Sequence, residues 1–228
     1  GAHRGLAHFG REHTPEQRRQ RDGEIAVATV KLKQVARALR ACAHCLGLRA
    51  RPGQHVLIHA AVGLGEAAFE LLVTQALAVD LEADSYHCYF ARVCLLQVTS
   101  SRQTVLIDPL ALPHLDPLKP LMADSAIRKI FHAADYDIRC LHRDFGMEIH
   151  NIFDTMIGCK LLGEEVLGLA DLLRKYFGVE LDKKYQCANW AVRPLPEEML
   201  HYAAEDTRYL HRLTAIIEKR LLETGRME

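Results

Sequence analysis

The sequence contains no apolar run long enough to cross a membrane. A spanning helix needs about 18 consecutive apolar residues, and the best candidate, Ala67–Val79, is interrupted by Glu70, Thr74 and Gln75. The N-terminus is polar and rich in His and Arg, so we expect no secretory signal peptide. These absences predict a protein without membrane contact.

The chain also has no net charge, because 29 Lys and Arg balance 29 Asp and Glu. The seven cysteines are odd in number and lie in apolar stretches such as Val93-Cys94-Leu95. This usage favours reduced thiols in an intracellular, cytoplasmic protein over the disulfide framework of a secreted one. Apolar residues make up 49% of the chain and charged residues 25%, which excludes wholesale disorder.

Charge is unevenly spread along the chain. Residues 1–53 carry 11 Lys and Arg against 4 Asp and Glu, and we predict that they form a basic, flexible leader. An arm that grips nucleic acid is the alternative. The pattern becomes regular after this segment, and we predict one folded domain over residues 54–228.

Short strands and helices are predicted to alternate in this domain. Strands are predicted at His55–His59, Leu77–Glu82, Val93–Thr99, Thr104–Asp108, Ile127–His132 and Ile149–Phe153. Helices are predicted at Leu64–Thr74, Asp135–Phe145 and Leu169–Phe177, and as one long final helix that Pro196 opens. Adjacent strands followed by alternating strands and helices indicate an α/β domain with a mixed sheet.

Two acids share one face of a predicted strand. Strand side chains alternate, so Asp80 and Glu82 lie on one face, about 7 Å apart, opposite the face that carries Leu77 and Val79. Two unpaired acids at this spacing repel and raise each other's pKa, whereas a divalent cation removes the conflict. A strand edge that faces solvent is the alternative, because D-x-E is a common tripeptide.

The final helix carries one acid within its apolar seam. Tyr202 lies one turn before this acid, Asp206, on the same helix face. A buried Asp is costly unless it is paired or binds a metal, so Asp206 is a candidate metal ligand, with a buried Arg partner as the alternative. The seam follows the 4-3-4-3-4 spacing of an amphipathic helix through Met199, Ala203, Asp206, Leu210, Leu213 and Ile217.

Three further acids lie near predicted helix starts. Asp137 lies in a first turn, where a carboxylate already stabilises the helix dipole. Asp135 is the predicted N-cap of that helix, and Asp154 is a candidate cap of the next one. Neither Asp135 nor Asp154 has an independent functional argument.

Taken in order, these acids form motifs that resemble those of the DEDD exonuclease superfamily, in the subgroup with Tyr four residues before the last Asp. The motifs are Asp80-Leu81-Glu82, Tyr136-Asp137 and Tyr202-Ala-Ala-Glu-Asp206. The surrounding sequence is similar to ribonuclease D over about residues 54–225, and the resemblance implies an RNase H-like exonuclease fold with helices flanking a mixed sheet. The similar segments are Val93-Cys-Leu-Leu-Gln97-Val, Leu106-Ile-Asp-Pro109, Phe131-His-Ala-Ala-Asp-Tyr-Asp137 and Trp190-Ala-Val-Arg-Pro-Leu-Pro196.

The resemblance implies a catalytic site that holds two divalent cations, Mg²⁺ or Mn²⁺. Asp80 would bridge both ions, and Glu82 and Asp206 would complete one site. Asp137 would help to hold the other ion, and Tyr202 would orient the attacking water.

Five more residues are expected near the substrate strand. Lys183, Lys184 and Arg193 are candidate strand contacts, and His132 and Trp190 are candidate contacts or stacking partners of the terminal nucleotide. A packed Trp and solvated Lys side chains are the structural alternative.

The implied activity is 3'-5' exonucleolytic trimming of RNA 3' ends, in tRNA-type or structured precursors, with release of nucleoside 5'-monophosphates. Single-stranded RNA is the expected partner. One alternative is a DNA-directed 3'-5' exonuclease of the proofreading or Werner type, because recognition of the 2'-hydroxyl cannot be read from the sequence. An inactive nucleic-acid-binding module is the other.

The chain departs from the ribonuclease D pattern at two places. Many relatives have an Asn shortly before the second motif, where this chain has Ala133 and Ala134. Asn189 stands where ribonuclease D-like sequences often have Asp, which concerns a substrate contact rather than the metal ligands. We also expect the helical HRDC domain of longer ribonuclease D proteins to be absent or truncated.

Overall fold

The structure is a computed structural model that describes residues 55–58, 61–72 and 74–227, so the predicted leader lies outside the described residues. No helix within these ranges is both long and apolar enough to cross a bilayer. The elements are, in chain order, β1 (His55–Ile58), α1 (Ala61–Leu72), β2 (Ala76–Ala83), β3 (Val93–Thr99), β4 (Thr104–Ile107), a 3₁₀ turn (Asp116–Leu118), α2 (Lys119–Ala123), β5 (Arg128–Phe131), α3 (Asp135–Phe145), β6 (Ile152–Asp154), α4 (Thr155–Leu161), α5 (Leu169–Phe177), α6 (Glu197–Arg208) and α7 (Leu210–Glu223).

The strands form one six-stranded sheet in the order β1-β4-β3-β2-β5-β6. Strands β2, β3 and β4 pair in antiparallel fashion, whereas β1, β5 and β6 run parallel to their neighbours β4, β2 and β5. This arrangement confirms the predicted α/β class with a mixed sheet.

Helices cover both faces of the sheet. On one face, Leu77 and Val79 of β2 belong to a core cluster with residues of α1, α2 and α3. On the other face, Ala78 belongs to a cluster with residues of α4, α5 and α7. The alternation predicted for β2 is therefore confirmed, and it places Asp80 and Glu82 on the face of Ala78.

The single long final helix was a wrong prediction, because the chain turns at Tyr209 and forms α6 and α7. The predicted seam divides between two clusters: Met199 and Ala203 pack over β3 and β4, whereas Leu213 packs with β5 and α4. Strands of a twisted sheet differ in direction, so two shorter helices follow its surface where one straight helix would leave it. Strand β6 also begins later than predicted, at Ile152.

The turn before α3 is fixed by a carboxylate from another element. Ala134 occupies the N-cap position of α3, so the prediction of Asp135 as the cap was wrong. The Asp135 carboxylate instead accepts a hydrogen bond of 2.6 Å from Arg139. Asp154 is confirmed as a cap of α4 and also accepts from the backbone N–H groups of Ala133 (3.1 Å) and Ala134 (2.8 Å). One side chain thus holds the ends of two elements.

Ala133 has a φ of 64°, in the left-handed region that costs a residue with a Cβ about 1 kcal/mol. We expect Ala133→Gly to raise the free energy of unfolding by up to about 1 kcal/mol, reduced in part because glycine gains entropy in the unfolded chain. Urea denaturation measures the change. The matched control is Ala134→Gly, at a φ of −57°, which removes a buried methyl group and should destabilise the domain. Effects of the same sign in both variants would contradict this prediction.

Candidate active site

Strand β2 carries Asp80 and Glu82 through the middle of the sheet. Strand β2 lies between β3 and β5, but β5 pairs only with Ala76–Ala78, so Asp80 and Glu82 are paired on the β3 side. Both side chains are partly buried, which argues against the alternative of a solvent-facing edge. Asp80 pairs directly opposite Gln97 of β3, and Glu82 pairs opposite Leu95. Their backbone positions are therefore fixed by the sheet.

Helix α6 brings a third carboxylate to the same place. It begins after Pro196, carries acids in its first turn and packs Met199 and Ala203 into the core, in contact with β2, β3 and β4. Asp206 lies near the end of this helix. Carboxylate oxygens of Asp80, Glu82 and Asp206 all lie within 4.8 Å of one another.

Helix α3 contributes Asp137, which is 7% exposed. It lies outside the group of three, but its charge is coupled to theirs. After burial, the charge of Asp80 is the next cause that raises the pKa of Asp137. The structure therefore brings all four predicted acids into one electrostatic neighbourhood.

Burial raises the pKa of each of the four acids: to about 6 for Asp80, 10 for Glu82, 9 for Asp137 and 8 for Asp206. Repulsion from neighbouring acids is the next cause for the last three. In the part of the chain that is described, no Lys, Arg or His forms an ion pair with any of the four. The buried Arg partner considered for Asp206 is thus excluded within those residues.

The donor set fits a hard divalent cation. All donors of the close group are carboxylate oxygens, which suit Mg²⁺ and Mn²⁺, whereas zinc sites use His and Cys. A cation also compensates the repulsion among the acids, because it stabilises their ionised forms.

The raised pKa values predict how stability depends on pH. At neutral pH the folded protein holds protons on acids that are ionised in the unfolded chain. The free energy of unfolding therefore falls as pH rises toward the folded-state pKa, which is about 8 for Asp206 and 9 for Asp137. In EDTA we expect the melting temperature to fall between pH 7 and 8.5, and excess Mg²⁺ should reduce this fall. Thermal unfolding with and without Mg²⁺ measures the two effects. The pH range lies above the one in which His132 titrates, because burial lowers the pKa of that residue.

Asp206→Asn is the matched variant for this experiment, because it removes one of the titrating groups without changing side-chain shape. Its melting temperature in EDTA should fall less steeply with pH than that of the unmodified protein. Equal slopes in the two proteins would contradict the prediction.

Comparison with known proteins assigns the chain to a family. The sequence model of the 3'-5' exonuclease family matches residues 56–222. The chain belongs to this family of 3'-5' exonucleases. Membership implies the use of a divalent metal, in agreement with the acidic cluster.

Curated relatives of this chain are longer proteins. Rat exosome complex component 10 is 42% identical over 164 residues, which are 70% of this chain and 18% of the relative. The Saccharomyces cerevisiae exosome complex exonuclease RRP6 is 35% identical over 159 residues, 69% of this chain and 22% of the relative. The chain spans about a fifth of the length of these relatives.

Solved structures of two exonucleases share the fold. The catalytic core of RRP6 from Trypanosoma brucei superposes with a TM-score of 0.73 at 33% identity, covering 76% of this chain and 48% of that one. Escherichia coli RNase D, described as an exoribonuclease involved in structured RNA processing, gives 0.72 at 29% identity, covering 76% and 47%. These matches confirm the predicted ribonuclease D-like family and its RNase H-like exonuclease fold.

Tyr202 lies one turn from Asp206 and is half-buried among aromatic rings. Its ring centroid is 5.7 Å from that of Tyr185 and 6.1 Å from that of Trp190. Burial, followed by the charges of Asp206 and Glu82, raises its pKa well above the usual range. The phenol therefore keeps its proton at neutral pH.

A cavity of about 460 Å³ opens beside Tyr202 and Asp206. Lys184 lines it, with Nζ 3.2 Å from Glu198 Oε2 and 4.8 Å from the centroid of the Tyr185 ring. Its role in substrate binding stays a prediction. Lys183 is exposed and does not line the cavity.

Trp190, predicted to contact the terminal nucleotide, and Arg193, predicted to hold the strand, both make structural contacts. Trp190 is 1% exposed and packs with Met199 and Ala203, so neither ring face is open to a nucleotide. Arg193 donates two hydrogen bonds of 2.7 Å to the carboxylate of Asp108 and others to backbone carbonyl groups. The burial of Trp190 supports the packed alternative, and contact of Arg193 with the strand stays a prediction. The sequence motif that contains both residues gives no information on exposure.

His132 is half-buried at the end of β5. Its Nδ1 lies 2.9 Å from Thr155 Oγ1, and burial lowers its pKa. A neutral His that bonds a neighbouring hydroxyl has a structural function here, and contact with the terminal nucleotide stays a prediction.

The loop between β2 and β3 carries a set of exposed aromatic residues that was not predicted from the sequence. Tyr86, Tyr89 and Phe90 are 69%, 95% and 84% exposed. Asp84, which is fully buried, holds the loop by accepting hydrogen bonds from the backbone and guanidinium of Arg92. The available signal was three aromatic residues within five positions, directly after the D-x-E motif.

Proposed function

We propose that this chain is a metal-dependent 3'-5' exoribonuclease that trims RNA 3' ends and releases nucleoside 5'-monophosphates. The observation that carries the proposal is the group of three carboxylates within 4.8 Å, without a cationic partner in the described residues and beside an open cavity. A purely structural site would pair such acids, since buried unpaired carboxylates destabilise a fold.

Two divalent cations, Mg²⁺ or Mn²⁺, are the proposed cofactors. When bound, such ions activate a water and neutralise charge that develops on the phosphate and the leaving 3'-oxygen. Asp80, Glu82 and Asp206 would hold one ion, and Asp137 would contribute to the second together with Asp80. The carboxylates thereby keep their negative charge at neutral pH.

Tyr202 is proposed to orient the attacking water. Because its phenol stays protonated, it donates a hydrogen bond and does not accept the proton of the water. The rings of Tyr185 and Trp190 limit its movement, which favours positioning as its contribution.

Single-stranded RNA is the proposed substrate. The relatives are named as exosome components and RNase D, and the latter is described as an exoribonuclease acting in structured RNA processing. The exposed Tyr86, Tyr89 and Phe90 offer rings on which unpaired bases can stack. The five described cysteines are free thiols, which supports the intracellular part of the proposed cytoplasmic localisation.

The test is incubation of the protein with 5'-labelled single-stranded RNA and DNA of the same sequence, in Mg²⁺, Mn²⁺ or EDTA. We expect a ladder that shortens one nucleotide at a time from the 3' end of RNA, release of nucleoside 5'-monophosphates and no cleavage in EDTA. Faster cleavage of DNA would favour the DNA-directed alternative. Binding of both strands without cleavage would indicate an inactive binding module and overturn the proposal.

A further inference from the structure

Gln97 is a buried amide without a partner. It lies in the middle of β3, is 0% exposed, and neither its Nε2 nor its Oε1 atom forms a hydrogen bond within the described part of the chain. Burying unsatisfied donor and acceptor atoms destabilises a fold, and an apolar side chain of the same size would avoid the loss. The position therefore calls for a functional explanation.

The strand register places Gln97 beside the catalytic acids. It pairs directly opposite Asp80 of β2 on one side and Leu106 of β4 on the other. Directly opposite residues of an antiparallel pair share a face of the sheet, with Cβ atoms about 4.5–5.5 Å apart. The rotatable bonds of a glutamine side chain are long enough to reach an Asp carboxylate across this separation.

Neighbouring residues show which layer the side chain occupies. Leu95 and Thr99, two positions away on the same face of β3, both contact α6: Leu95 shares a core cluster with Met199, and Thr99 Oγ1 lies 2.6 Å from Thr207 Oγ1. Gln97 therefore lies between the sheet and α6, the layer that holds the carboxylate group. The hydroxyl groups of Thr99 and Thr207 form a hydrogen bond with each other there, whereas the amide of Gln97 forms none within the described residues.

We propose that Gln97 is a positioning residue for Asp80, whose Nε2 donates a hydrogen bond to an Asp80 carboxylate oxygen when the acids hold a divalent cation. This inference rests on the proposed function. A carboxylate that binds a metal through one oxygen leaves acceptor capacity on the other, and hydrogen bonds to a ligand of this kind fix its orientation. An uncharged amide supplies the donor without adding charge to the acidic site.

The test compares Gln97→Met, a near-isosteric side chain without polar hydrogen-bonding groups, with the unmodified protein. We expect Mn²⁺ affinity, measured by calorimetry, to fall roughly 10- to 100-fold. We expect kcat on RNA to fall while KM changes little, because the substrate is not contacted. In EDTA the melting temperature should rise by about 2 °C or more, since two unsatisfied buried atoms are removed.

Leu95→Met is the matched control, an apolar replacement in the same layer, opposite Glu82, and it should leave Mn²⁺ affinity within about twofold. Unchanged Mn²⁺ affinity in Gln97→Met would overturn the proposal. A lower melting temperature in EDTA, or failure of both Gln97→Met and Gln97→Leu to fold, would also overturn it by showing that the amide supports the fold. If the unmodified protein neither binds Mn²⁺ nor cleaves RNA, the proposed function itself fails.

Discussion

Asp80→Asn should lower exonuclease turnover at least about 10³-fold without unfolding the domain. Loss of a ligand charge removes several kcal/mol of transition-state stabilisation when metal ions carry the chemistry, and each 1.4 kcal/mol is tenfold in rate. Asp80 is the acid whose charge raises the pKa of Glu82, Asp137 and Asp206 alike, which places it centrally among the four. Initial rates on labelled RNA and circular dichroism measure the two effects.

Asp135→Asn is the control for this experiment. Asp135 is an exposed acid on α3, two residues from Asp137, and its carboxylate pairs with the exposed Arg139. Its replacement removes the same charge from the same region and should leave turnover near that of the unmodified protein. Near-normal turnover in Asp80→Asn would place the active site elsewhere.

Tyr202→Phe and Asp206→Ala should separate water orientation from metal binding. Tyr202→Phe removes one hydrogen-bond donor, so we expect turnover to fall about 10²-fold or more with metal affinity retained. Asp206→Ala removes one of the three clustered carboxylates, so both turnover and metal affinity should fall. It should also stabilise the protein in EDTA, because it removes a buried acid whose ionised form is unfavourable at this site.

Mn²⁺ titration by calorimetry, alongside initial rates, distinguishes the two variants. They lie one helical turn apart on α6, so a general disturbance of this helix would affect both measurements in both variants. Equal loss of Mn²⁺ affinity in Tyr202→Phe and Asp206→Ala would contradict the role of Tyr202 as a water-orienting group.

The acids differ in how far the sequence alone could locate them. Side-chain alternation placed Asp80 and Glu82 on one face but left a solvent-facing edge open, and the apolar seam marked Asp206 but left a buried Arg partner open. Both patterns are local, so they select these acids as candidates without showing what surrounds them. Asp137 was found only through the family resemblance, since an acid in a first helical turn is explained equally well by the helix dipole.

Features that depend on tertiary contacts were not predicted. The turn at Tyr209 follows from the direction of the strands beneath the two helices, which periodicity does not report. The burial of Trp190 and the bidentate pairing of Arg193 with Asp108 depend on residues distant in sequence. The missing partner of Gln97 is likewise visible only when its surroundings are known, although the β3 pattern already showed a polar residue inside an apolar strand.

The double use of the Asp154 carboxylate has an evolutionary consequence. Its partners at Ala133, Ala134, Met156 and Ile157 all donate through backbone N–H groups, so those side chains can diverge without loss of the bonds. A change at Asp154 releases two turns in one mutational step, and no single second mutation restores both. We therefore expect this position to vary less among descendants of the gene than the four residues that it binds.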